Sequence, residues 1–254
     1  MKTLIPVVTL VAAVSSSASA ALVAAWDFQT TSNGGTAVAA APSTPSTLVA
    51  NFGSGTLYLN GTNGASSWVT TNAVANTNEV TAFAGTSINA NSALGMSTVT
   101  ATGALALLGG ASLGGTPANF SSNGKAIIFA LNMSGFANLS VSYAAQRTAT
   151  GFTSQVWETS TDGSTWTAWS TVASGTTAGS IATSFATSGA LSLVGTGSLD
   201  NAATAFVRVT FSGATSSSGN NRLDNFIFNA DVVPTPGAFA LLGLAGLAAR
   251  RRRN

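Results

Sequence analysis

Apolar and polar residues alternate along much of this chain with a period of two, not the 3.6 of a helix. Leu139, Val141, Tyr143 and Ala145 alternate with Ser140, Ser142, Ala144 and Gln146, and Ala205, Val207, Val209 and Phe211 alternate with Thr204, Phe206, Arg208 and Thr210. In an extended strand that period turns one face to a core and the other to solvent. Further strands are predicted over residues 22–28, 56–59, 125–132, 153–159, 165–172 and 223–230, with Gly, Asn and Ser turns between them. Only residues 101–108 read as helical. Asp162-Gly163, set between β-rich flanks, predicts a tight antiparallel hairpin, because the pair supplies the positive φ angles of a short turn.

Many short strands at regular spacing predict an all-β body, an antiparallel β-sandwich. The opening Ala25-Trp26-Asp27-Phe28 and the closing Leu223-Asp224-Asn225-Phe226-Ile227-Phe228 resemble the first and last strands of jelly-roll or concanavalin-like modules in secreted bacterial proteins. Residues 160–166 resemble an Asp-box, a structural turn motif, with one residue fewer than its usual spacing.

Composition narrows the picture. Charged residues make up 6% of the chain and hydrophobic residues 45%, so the sequence can build a core but keeps its surface polar with hydroxyls and amides. Four of its nine basic residues are Arg250, Arg251, Arg252 and Arg253. Between the two ends only Lys125, Arg147, Arg208 and Arg222 stand against seven carboxylates. A weakly acidic body without clustered cations gives nucleic acid nothing to bind.

The ends carry addresses. Lys2, the apolar residues 4–14 and Ala18-Ser19-Ala20 have the order of a secretory leader, with cleavage expected after Ala20. The partner at that step is the export translocon. The chain has no cysteine, so packing and the sheet ladders must stabilise it outside the cell without disulfides. At the other end Pro234-Thr235-Pro236-Gly237 precedes the uncharged residues 238–249 and the four arginines. A helix starting at Pro236 would reach about 20 Å at 1.5 Å per residue, short of the roughly 30 Å hydrocarbon core, and would span with snorkelling arginines or local thinning. The arginines would then face the cytoplasm and the body the outside.

A Pro-x-Pro motif, a short Leu/Gly/Ala helix and a terminal Arg cluster resemble the PEP-CTERM sorting domain of Gram-negative bacteria. Pro234 and Pro236 match its two prolines, while Thr235 stands in place of its Glu. The resemblance covers residues 232–254. It implies processing by a membrane enzyme, exosortase, and delivery of the body to the cell surface or extracellular matrix. The chain thus divides into a leader (1–20), a sandwich body (21–231) and a sorting tail (232–254).

Candidate chemistry is sparse. With no His and no Cys, the commonest general base, thiolate catalysis and the usual zinc and copper ligand sets are missing. No catalytic residue, cofactor or metal is assigned from the sequence. No pair among Asp27, Glu79, Glu158, Asp162, Asp200, Asp224 and Asp231 is marked out for glycoside hydrolysis. Trp157, Trp166 and Trp169 crowd one hairpin and offer faces to a pyranose ring of an extracellular polysaccharide, although aromatics also fill sandwich cores. Asp27, Asp224 and Asn225 offer oxygen ligands to calcium, against the plainer expectation that Asp224 pairs with Arg222 or Arg208 or caps a turn. These readings give a non-enzymatic structural or adhesive protein, with a carbohydrate-binding module as the alternative and a glycoside hydrolase behind both.

Overall fold

The computed structural model describes residues 20–29, 47–69, 78–98 and 103–234. Its strands are, in chain order, β1 (Ala20–Trp26), β2 (Thr47–Val49), β3 (Phe52–Gly53), β4 (Gly55–Tyr58), β5 (Val80–Phe83), β6 (Ala104–Leu108), β7 (Ser112–Gly114) and β8 (Asn119–Phe120). There follow β9 (Ala126–Leu131), β10 (Phe136–Arg147), β11 (Ser154–Ser160), β12 (Thr167–Ala173), β13 (Ala190–Thr196), β14 (Ala205–Ser212) and β15 (Asn220–Val232). One helical turn, α1 (Phe185–Ser188), precedes β13.

The strands form a seven-stranded sheet in the order β13-β10-β15-β1-β3, with β6 beside β15 and β5 beside β6, and a six-stranded sheet in the order β12-β11-β14-β9-β4-β2. The ladders of both are antiparallel. From β9 onward the chain passes back and forth between the sheets except at the β11–β12 hairpin, which stays in the six-stranded sheet, and β1 lies beside β15 with Ala20 opposite Asp231.

The core is the space between the sheets, and the alternation in the sequence points into it. Leu139, Val141, Tyr143 and Ala145 on β10 and Ala205, Val207, Val209 and Phe211 on β14 are all buried there. Aromatic rings interlock across the gap. Trp26 and Phe228 meet Phe129 at 5.1 and 4.9 Å between centroids, and Tyr143, Trp157 and Phe226 form a second group with Tyr143 5.1 Å from each of the others. Each such pair adds about 0.5–1.5 kcal/mol beyond the area it buries.

Residues 47–58 close one side by changing sheets twice, from β2 to β3 to β4. Glycine is required there. Gly53 has φ +72°, and a Cβ on it would lie 2.3 Å from the Val23 carbonyl oxygen.

Two local expectations are corrected. Residues 104–108 are not helical but form β6, because an Ala-Leu run pressed between β5 and β15 satisfies its backbone through neighbouring strands and is buried on both faces. The Asp162-Gly163 pair does not make a two-residue turn. Residues 161–166 form a wider loop, in which the Asp162 carboxylate accepts from the Ser164 and Thr165 amides, both at 2.7 Å, and the Ser160 hydroxyl accepts from Gly163 at 2.9 Å. The strands it joins do pair antiparallel.

Among the described residues no helix is long and apolar enough to cross a membrane. Ala18, Thr235, Pro236, Gly237 and the four arginines lie outside the described residues, and so does the expected C-terminal helix. Ala20 opens β1, and Pro234 follows the end of β15.

Candidate functional site

The three tryptophans occupy three different environments and share no platform. Trp157 lies on the inner face of β11 and is 0% exposed, so it offers no ring face to a ligand. It belongs to the core, which corrects its place among exposed glycan-binding candidates. Trp169, on the edge strand β12, packs edge-on against Trp157 at 6.2 Å and donates its indole N–H to the Val194 carbonyl of β13 at 3.0 Å. It thereby bolts the edge of one sheet to the edge of the other. Trp166 is half-buried on the outer face of the six-stranded sheet, against Ala65, Ile128 and Phe206. The Arg208 guanidinium lies 4.2 Å from its ring centroid.

All seven carboxylates of the chain are engaged by the fold. Glu79, 2% exposed, accepts from the Val69 amide and the Ser121 hydroxyl and pairs with Lys125, which also donates to the Ser67 carbonyl. Glu158 holds Arg208 at 2.7 Å on the outer face. Asp200 accepts the Asn138 amide and Asp231 the Asn138 side chain. Asp162 organises its loop, and the amides of Thr165 and Ser164 hold its carboxyl below the usual carboxylate range.

The remaining two meet at a buried junction. Asp27 follows β1 and Asp224 sits on β15, next to a bulge at Asn225, whose φ is +49°. That extra residue lets Leu223 and Phe226 both point inward, and places Asp224 on the outer side of the sheet. A strap, residues 84–98, crosses over them. At one end the Thr86 amide donates to Asp224 at 2.7 Å, and Asn225 donates its carboxamide N–H to the Thr86 and Ile88 carbonyls at 2.7 and 2.9 Å. At the other, the Ser97 amide donates to Asp27 at 2.8 Å and the Ser97 hydroxyl to Gln29 at 3.1 Å. Between them Met96 and Leu94 pack on Ala25 and Ile227.

Asp224 does not pair with an arginine as the sequence suggested. Arg208 holds Glu158, and Arg222 lies over the Phe83 ring at 4.3 Å, where burial lowers its pKa. Asp27 and Asp224 are both 0% exposed. Burial, and to a smaller extent the charge of Asp27, push the Asp224 carboxyl up to about 8 despite two backbone donors. The sequence signal for this junction was the pair of Asp-containing strands at its two ends. Gln29, Thr86 and Ser97, which complete it, carried no signal.

One groove, of about 740 Å³, runs past Leu22, Phe52 and Leu94 to Leu131 and holds no ionisable group. A smaller one of about 430 Å³ lies between Trp169 and Val194, itself 89% exposed.

No family model and no curated protein matches the chain. Among solved structures it is similar to a cleaved adhesin domain of Lys-gingipain from Porphyromonas gingivalis, at 12% identity and a TM-score of 0.35, over 60% of this chain and 83% of that one.

Proposed function

We propose that this chain is an exported, surface-sorted structural or adhesive protein of the bacterial envelope or extracellular matrix. Its body is a jelly-roll without catalytic machinery, and its tail is the substrate of an exosortase-like membrane enzyme. One observation carries the non-catalytic reading. In a chain with no His or Cys, every carboxylate is bound up in an ion pair, a turn, a strand contact or the buried junction, and none faces another across an open cleft. The jelly-roll assignment is supported by the back-and-forth passage from β9 to β15 and by the pairing of β1 with β15. The sorting role is supported by the order of proline motif, apolar segment and arginines in residues 234–253.

The test is made in the native host, by surface proteolysis and mass spectrometry of the mature C-terminus. The wild-type protein should be found outside, lacking Arg250, Arg251, Arg252 and Arg253. A chain with Pro234→Ala, Pro236→Ala and the four arginines changed to Ala should be retained. Equal surface delivery of that variant would sink the proposal. Glycan binding is the second reading, and it falls on Trp166, which is partly exposed on the outer face of the six-stranded sheet. It predicts that Trp166→Ala loses retention on a polysaccharide column while still melting cooperatively, about 2–4 °C below the wild type.

A further inference from the structure

Two carboxylates removed from water on neighbouring strands repel each other, and the arginines that might neutralise Asp224 are engaged elsewhere. Burying such a charge costs several kcal/mol unless a proton or a cation compensates it. The polar groups around the pair bear on which of the two it is. Gln29 and Asp224 border the same spot: the position of a Cβ on Gly85 would be 2.5 Å from the Asp224 carboxylate and 3.0 Å from the Gln29 amide nitrogen. That nitrogen is buried and has no partner. The nitrogen and oxygen of a carboxamide are told apart by their partners, and the Ser97 hydroxyl can serve either. Turned over, Gln29 would present its oxygen to the acids, where a cation or the proton of a protonated Asp224 would hold it. Asn225, 0% exposed and next to Asp224, also has a buried carboxamide oxygen without a partner.

We infer that the junction is a binding site for calcium, held by the Asp27 and Asp224 carboxylates together with the carboxamide oxygens of Gln29 and Asn225. The donor set suits that ion. Calcium takes six to eight oxygens, accepts carboxylates, amides and backbone carbonyls together, and tolerates irregular geometry, whereas magnesium demands a near-ideal octahedron and keeps its waters. No group of three or more acidic side chains gathers among the described residues, so backbone carbonyls or water complete the shell. The two acids are also the anchors of the strap, through Thr86 and Ser97, so the ion would fasten residues 84–98 to the sheet. This inference stands apart from the sorting role and can fail without it.

The test is the melting temperature of the full chain, first in EDTA, then in excess calcium chloride, against sodium chloride of equal ionic strength. Calcium should raise it by about 5–10 °C at concentrations well above the dissociation constant. Asp224→Asn and Asp27→Asn should abolish the rise while still melting cooperatively in EDTA. If neither variant folds, equilibrium dialysis of the unaltered chain against radioactive calcium at neutral pH decides, with one ion bound per chain as the supporting result and none as the overturning one. A melting temperature indifferent to calcium, or a folded Asp224→Asn chain that responds as the wild type does, overturns the site and leaves a proton as its only occupant.

Discussion

Asp224 is the residue whose environment departs furthest from what its type prefers. Folding raises its pKa from 3.8 to about 8, so the native state holds the proton more tightly than the unfolded chain does. Its contribution to stability is therefore complete below about pH 4 and is lost as pH rises towards about 8. In EDTA the melting temperature should fall across that window, and Asp224→Asn should flatten the fall. A slope unchanged in the variant would show that another group is responsible. The tryptophans divide just as sharply. Trp157→Ala should destabilise the fold by about 3–5 kcal/mol in denaturant titration, because it empties the centre of a close-packed core. Trp166→Ala should cost far less, about 1 kcal/mol, since solvent can reach the space it leaves. Equal losses would contradict the burial that separates them.

At the level of elements, what the sequence revealed was what depends on period. β10 and β14 declare themselves because each has one face in the core and one outside, and every residue expected inward on them is inward. β6 was misread because it has no polar face to break the run, and a short stretch of Ala and Leu fits either backbone until its neighbours are known. The acidic junction was half legible. Two Asp residues in strand-like surroundings drew notice, but their closeness is a product of strand pairing between the two ends of the body, which no local pattern encodes. The missing arginine partner was invisible for the same reason. The corner at residues 47–58 was hidden too, since its geometry rests on a glycine approach to the backbone of β1. There Gly53→Ala should lower stability by more than about 1 kcal/mol in denaturant titration, through both its positive φ and the clash with Val23. A neutral result would mean that the corner can rearrange.

For the molecule as a whole, the decisive feature is where the last strand sits. β15 lies between β10 and β1 and also carries β6, so among the described strands it alone joins the halves of the seven-stranded sheet. Chains truncated after Gly219 should accordingly be digested rapidly under conditions where the full chain resists, and a protease-resistant truncation would refute this. The ordering in time follows. Were the chain drawn through a membrane from its amino end, as the proposed function requires, this keystone strand would be delivered last, just ahead of the tail. Completion of the seven-stranded sheet would then coincide with the arrival of the proposed tail at the bilayer.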